Sequence, residues 1–223
     1  MQQQYLTPPW PAPNNVTALI TLRGTTAAQL ALPSAPVLLN QVHGNVVVHA
    51  DRLNSELPEA DAAIASTSNT VCAIRTADCL PILICDKAGT QVAAIHAGWR
   101  SLASGIIPNT CKQFSGAMQD CLVWLGPAIG PSAFEVGHDV LEAFAGYGWQ
   151  QQDIAMGFSA QLNSKWLGNL YYLARVELQK QGILADNIYG GELCTVSDPQ
   201  RFYSYRRSAG AETGRMLSLI WLK

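Results

Sequence analysis

Residues 71–100 read VCAIRTADCLPILICDKAGTQVAAIHAGWR, and the reading of this stretch organises the rest of the chain. Residues 80–85 (LPILIC) and 91–96 (QVAAIH) are apolar, partly β-branched runs, and Asp86-Lys87-Ala88-Gly89 between them has the composition of a tight turn. The pattern predicts a β-hairpin. If Asp86 pairs with Gly89, Cys79 faces His96 directly across it. Directly opposed residues have Cβ atoms roughly 4.5–5.5 Å apart, within reach of a common metal or a Cys–His hydrogen bond. A slip of one residue would put the two groups on opposite faces.

Around this hairpin lies a chain of 223 residues, 48% apolar and 13% charged, enough for one sizeable core or two thin packed layers. A single domain over residues 1–223 is expected. A net charge of −2 and a pI near 6.0 leave no basic surplus for nucleic acid or an anionic membrane, so the expected partner is a small molecule. The opening MQQQYLTPPWPAPNN has neither a basic n-region nor an apolar h-region, and no apolar run approaches the roughly 18 residues of a membrane span. The expected compartment is the cytoplasm.

The six cysteines are Cys72, Cys79, Cys85, Cys111, Cys121 and Cys194. Without a secretory signal they read as mostly buried thiols rather than a disulfide framework, Cys194 among them. No pair has C-x-x-C spacing, which argues against a zinc ribbon and against the H-x-E plus P-C-x-x-C pattern of cytidine-type deaminases. H-E-x-x-H, P-loop and G-x-G-x-x-G motifs are absent too.

Outward from the hairpin, residues 16–23 (VTALITLR), 121–125 (CLVWL) and 216–222 (MLSLIWL) read as strands. His43 sits beside Gly44 in a break between the β-like runs 37–40 and 46–50, where ligands are commonly carried. Asp61 is placed either to orient a ligating histidine or to cap a turn. Gly98-Trp99-Arg100 opens a helix whose first N–H groups could hold an anion, and Pro108 predicts a kink or break within it. Residues 138–145 read as a helix, 146–164 as an irregular connection, and 165–182 as an amphipathic helix on Trp166, Leu167, Leu170, Ala174 and Leu178. Residues 202–206 read as strand-like. His49 and His138 read as structural.

Six ordered motifs, Asn40-Gln41-Val42-His43-Gly44, Ala60-Asp61-Ala62, Thr76-Ala77-Asp78-Cys79-Leu80-Pro81, His96-Ala97-Gly98-Trp99-Arg100, Gly126-Pro127-Ala128-Ile129-Gly130 and Tyr205-Arg206-Arg207, run the length of the chain. As a set they resemble the bacterial YfiH/YlmD laccase-domain family. The resemblance implies a zinc-dependent purine nucleoside phosphorylase acting on adenosine, inosine, guanosine and methylthioadenosine, with an adenosine deaminase activity. It also implies metal ligation by His43, Cys79 and His96, and it raises Arg206 and Arg207 from edge-strand charges to candidate phosphate or substrate ligands. Asp78, adjoining the thiolate, reads either as a proton shuttle or orienter or as a strand-start cap; with Cys79 and His96 it makes up the expected catalytic set, and Gln41 and Arg100 are the other expected substrate contacts. Two histidines and a thiolate leave a fourth tetrahedral position open, as in catalytic zinc sites, where bound water is acidified toward a pKa of about 7. The chain departs from the family pattern at Gly24-Thr25-Thr26, after which a segment is largely missing, at Arg75, where relatives carry an apolar residue, and at Asn169, where they carry aspartate.

Strand signals alternating with a few helices fit an α+β (layered α/β) fold with mixed sheets. The family resemblance sharpens this to mixed β-sheets packed together with helices outside, similar to the catalytic domain of cytotoxic necrotizing factor. That similarity supports an alternative in which Cys79 is the nucleophile of a cysteine hydrolase and His96 its base. Two histidines and a cysteine also suit copper, making a copper-dependent polyphenol oxidase a further alternative, although a multicopper laccase needs more histidines than His43, His49, His96 and His138. The last alternative is a peptidoglycan editing factor acting on cell-wall precursors.

Overall fold

Residues 3–53 and 57–223 are described in the computed structural model. The strands of the first half are β1 (Tyr5–Leu6), β2 (Val16–Thr21), β3 (Val47–His49), β4 (Ala62–Ala65), β5 (Cys72–Thr76), β6 (Leu80–Asp86) and β7 (Val92–Ala97). The second half contributes β8 (Cys121–Leu125), β9 (Glu135–Val136), β10 (Phe158–Ala160), β11 (Trp166–Gly168), β12 (Ile188–Gly190) and β13 (Met216–Leu222). The helices are α1 (Trp99–Ala103), α2 (Ile106–Cys111), α3 (His138–Gly146), α4 (Gln151–Gly157), α5 (Leu170–Lys180) and α6 (Tyr205–Ser208).

A six-stranded mixed sheet, ordered β12-β8-β6-β7-β4-β3, is the centre of the molecule. Its two outermost pairs are parallel and the inner ones antiparallel. Strands buried on both faces read as continuous apolar runs, which is why LPILIC carries no polar alternation. Leu80, Ile82 and Ile84 of β6 pack with Ala93 and Ile95 of β7 under α1 to α5. Leu83, Cys85, Val92 and Ala94 point the other way and meet Ile20, Ile74 and Ile220 of an antiparallel sheet ordered β1-β2-β13-β5. Each fully buried Ile or Leu contributes roughly 1.5–3 kcal/mol of transfer free energy. The result is the layered α+β arrangement expected: two sheets face to face and helices over one of them.

The β6–β7 hairpin is present, but with a longer loop than the turn composition suggests. The Gly89 N–H donates to the Asp86 carbonyl at 3.0 Å and closes a turn, but the strand pairing of Asp86 is with Gln91, whose carbonyl accepts the Asp86 N–H at 3.2 Å, and the ladder sets Pro81 opposite His96 and Leu80 opposite Ala97. The cause is the Asp86 carboxylate, whose Oδ1 accepts the N–H groups of Thr90 and Gln91 at 2.7 and 2.8 Å and whose Oδ2 accepts the Thr90 hydroxyl at 2.5 Å. The register is therefore displaced by two residues from the expected pairing. An even displacement preserves which face each side chain takes, so Cys79 and His96 become diagonal neighbours on one face instead of direct opposites.

Elsewhere the helix opened by Trp99 stops at Ala103 and restarts at Ile106 beyond Gly105, whose φ of +93° no other residue adopts without strain. Pro108 then lies in the first turn of α2, where its missing N–H costs nothing. The expected irregular segment 146–164 instead contains α4 and β10. Trp166 and Leu167 belong to β11, not to the following helix, which begins at Leu170 behind the Asn169 side chain accepting the Tyr172 N–H at 3.0 Å. Residues 205–206 are helical rather than strand-like, with Ser204 as cap. At Asn169 and Ser204 local side-chain capping outweighed the apolar pattern.

Replacing Asp86 by Ala should lower stability in urea denaturation by about 1–2 kcal/mol, since the Thr90 and Gln91 N–H groups lose their carboxylate partner. An unchanged midpoint would mean that the loop, and with it the register, is held by other contacts.

Candidate metal centre and pocket

The even register carries His96 to the end of the face shared by Val92 and Ala94, where β7 approaches the turn joining β5 to β6. Cys79 sits in that turn, behind Asp78, which adopts a φ of +93°. His43 arrives from the loop before β3, itself at φ +59°. One nitrogen from each histidine and the Cys79 Sγ all lie within 4.8 Å of one another, so the group can hold a metal ion. Cys79 Sγ is 3.8 Å from His43 Nε2, and the two imidazoles meet edge to face with centroids 4.8 Å apart.

Asp61 holds this arrangement together. Fully buried just before β4, it accepts the N–H groups of Val42, His43 and Gly44 at 3.3, 3.0 and 2.7 Å, fixing the loop that carries His43. Its Oδ1 also lies 2.7 Å from His96 Nδ1. A carboxylate can only accept there, so Nδ1 carries the proton and Nε2 is left to face the trio. The two roles weighed for Asp61, turn cap and orienter of a histidine, are performed by one side chain.

Burial alone would raise the Asp61 pKa, but the His96 ring and the Gly44 and His43 N–H groups hold it below the usual carboxylate range. Burial likewise opposes ionisation of Cys79, yet hydrogen bonding to His43 and His96 outweighs it and brings the thiol down to about 6. His96 is the complement: despite burial, Asp61 and Cys79 raise it to about 9. The metal-free trio is thus a thiolate–imidazolium cluster, its sulfur already in the form that binds metal or attacks an electrophile. Gly98 leaves it room. A Cβ there would lie 3.0 Å from Cys79 Sγ, 3.1 Å from His43 Cδ2 and 3.6 Å from His96 Nε2.

The trio opens into a cavity of about 690 Å³. Of the residues singled out in the sequence, Gln41, Asp78, Arg100 and Arg206 line it with His43, Cys79 and His96. Arg207 does not line it. Its guanidinium is spent on the carbonyls of Thr195 at 2.6 Å and Phe202 at 2.9 Å, with Glu212 3.5 Å away. Gln41 pairs through its amide with the backbone N–H and C=O of Arg75 at 2.8 and 2.9 Å. Asp78 accepts the Thr195 hydroxyl at 2.5 Å and the Arg206 N–H at 2.6 Å, so it anchors the first turn of α6 beside the trio. Cys194 is half-buried rather than fully buried, its Sγ accepting the Gly130 N–H at 3.3 Å. The lining also includes Arg75, Arg215 and the aromatic rings of Trp99, Phe134 and Tyr205. A lone arginine in the apolar run CAIRT was the only sign of Arg75, and Arg215 gave none, because the pairing of β5 with β13 brings it in from the far end of the chain.

A family profile described as multi-copper polyphenol oxidoreductase laccase matches residues 14–223. The chain belongs to this family. Among the family's relatives, a Pseudomonas aeruginosa protein named purine nucleoside phosphorylase PA4543 is 40% identical over 247 aligned positions, covering 98% of both chains. The alignment exceeds the present chain's 223 residues, so that relative has residues absent here. Escherichia coli purine nucleoside phosphorylase YfiH is 46% identical, covering 86% of this chain and 75% of its own. The crystal structure of Neisseria meningitidis NMB0706, a DUF152 protein, superposes with a TM-score of 0.88 at 41% identity, over 99% of this chain and all of that one. The mixed-sheet fold is that of the family.

In metal-free protein, the rate of Cys79 alkylation by iodoacetamide should rise with pH through a midpoint near 6. Asp61→Asn should move the midpoint up, because His96 loses the partner that keeps it protonated beside the sulfur. A wild-type midpoint near 8.5–9, the range of an ordinary thiol, would contradict this electrostatic account.

Proposed function

We propose that this chain is a zinc-dependent purine nucleoside phosphorylase that also deaminates adenosine. The observation that carries this reading is the His43–Cys79–His96 trio opening into an arginine-lined cavity, in a family with relatives at 40–46% identity named purine nucleoside phosphorylase. The donor set suits zinc: two imidazole nitrogens and a thiolate, a carboxylate fixing one ring, and a bare Cα at Gly98 leaving space beside them. When bound, the ion supplies a Lewis acid with an open coordination position.

The remaining work falls to the chain. In phosphorolysis an oxygen of inorganic phosphate forms a bond to ribose C1′ while the C1′–N9 bond breaks and its electron pair leaves with the purine. Arg100, exposed and stacked 4.2 Å over the Trp99 ring, and Arg206, over Phe134 at 5.9 Å, are suited to orient the phosphate by paired N–H donors. Trp99, Phe134 and Tyr205 offer flat faces for the base. Asp78 has a positioning role, holding the Arg206 backbone and through it the side chain. Gln41 does the same for Arg75. Arg207 acts through the stability of residues 195–202 rather than through substrate.

A second reading draws support from a specific contact. Cys79, His96 and Asp61 form a chain of nucleophile, base and orienting carboxylate, the order used by cysteine hydrolases. Metal dependence separates the two. Protein incubated with inosine and phosphate should yield hypoxanthine and ribose 1-phosphate by chromatography, with activity lost on chelation and restored by zinc rather than copper. Arg100→Ala should raise KM for phosphate by about tenfold, equivalent to a charged hydrogen bond. Absence of phosphate-dependent product contradicts the phosphorylase reading. Activity that survives chelation but is lost to alkylation of Cys79 favours the hydrolase.

A further inference from the structure

Four of the chain's nine arginines, Arg75, Arg100, Arg206 and Arg215, line the one cavity that holds the trio, in a protein of net charge −2. Among the described residues none of the four is in an ion pair: the arginine pairs are Arg23 and Arg207 with Glu212, and Arg201 with Asp198. Among the described residues Asp78 is the only carboxylate in the lining. Such a concentration of uncompensated guanidinium groups exceeds what one phosphate dianion neutralises.

The four divide into two groups by their elements. Arg100 stands two residues after Gly98, and Arg206 is tied through its backbone to Asp78, so both adjoin the trio. Arg75 and Arg215 belong to the other sheet. In the β5–β13 ladder Met216 pairs with Thr76 and Leu217 with Arg75. Arg215 therefore lies diagonal to Arg75 and on the same face, roughly 7–8 Å away for such a pair. That face is the outer one: Ala73, in phase with Arg75, packs with Leu219 and Trp221 away from the six-stranded sheet. The cavity thus runs from between the sheets to the rim of β5 and β13, with guanidinium groups at both ends.

Like charges in diagonal register repel unless something anionic lies between them. Arg75 spends one nitrogen on the Leu39 carbonyl at 2.8 Å and Arg215 one on Gly214 at 2.8 Å. Each guanidinium has five N–H donors, so most of both forks remain open to a ligand. A volume near 690 Å³ falls within the roughly 300–1,000 Å³ of small-molecule sites.

We infer that Arg75 and Arg215 form a second anion subsite, which takes a phosphate carried by the nucleoside itself. On this inference the pocket accepts phosphorylated purine nucleosides as well as free phosphate at Arg100 and Arg206. The inference rests on the nucleoside reading above and extends it to a charged substrate class.

Isothermal titration of the zinc-loaded protein with inosine and with inosine 5′-monophosphate, with and without saturating sulfate, an anion of phosphate's shape that leaves the nucleoside uncleaved, tests it. The monophosphate should bind about tenfold more tightly than inosine, as expected for charged hydrogen bonds to one phosphate. That preference should persist in saturating sulfate, because the free anion occupies the other group of arginines. It should fall to about threefold or less in the Arg75→Gln, Arg215→Ala double variant, in which the introduced amide keeps a donor toward Leu39. Arg215→Ala alone, at an exposed position, should reduce the preference in the same direction and serves if the double variant misfolds.

A preference absent from the wild type, abolished by sulfate, or unchanged in the variants overturns the second subsite. Binding of inosine without any preference overturns it alone. Binding of neither ligand overturns the nucleoside reading with it.

Discussion

The buried carboxylate of Asp61 is the constraint on which the rest of the site depends. An ionised group without solvent is costly unless several donors satisfy it. Here three consecutive backbone N–H groups and one imidazole do so. Each donor belongs to a segment that brings a member of the trio: residues 42–44 carry His43, and the imidazole is His96 itself. Meeting the needs of one buried charge therefore brings two histidines, 53 positions apart in sequence, to one place. The backbone reinforces this, since the His96 N–H donates to the Asp61 carbonyl at 2.7 Å and the Asp61 N–H to the Val46 carbonyl at 3.0 Å.

The sheets supply the third member and the cavity. Cys79 lies in the turn by which the chain passes from the four-stranded to the six-stranded sheet, so the trio forms where the two layers meet. Asp78, at a positive φ, links that turn to α6 and to Thr195, both from the last third of the chain. The strain of roughly 1–3 kcal/mol at such a residue is sustained by the contacts of both carboxylate oxygens. The same turn thereby sets a thiolate on one side and a cavity-lining arginine on the other.

Much of this was legible in the sequence, for identifiable reasons. Strands buried on both faces leave uninterrupted apolar runs, so residues 80–85, 121–125 and 216–222 could be read directly. Cys79 and His96 could be paired because side-chain parity survives an even displacement of register. The displacement itself was hidden in the Asp86 carboxylate, which chose a longer loop than its neighbours' composition implied. Trp166 and Leu167 sit in phase with the apolar stripe of α5, and only the Asn169 cap separates strand from helix. Arg207 looked equivalent to Arg206, yet one turn of helix sends adjacent side chains in different directions, one toward the cavity and one onto backbone carbonyls. Arg215 was out of reach of sequence reasoning, because its partner strand is more than a hundred residues away.

The most direct test of the central claim is X-ray absorption spectroscopy of the zinc-loaded protein. One sulfur at about 2.3 Å and two imidazole nitrogens at about 2.0 Å, with the sulfur contribution lost in Cys79→Ser, is the predicted coordination. A shell of nitrogen and oxygen alone that does not change with Cys79→Ser would contradict the account.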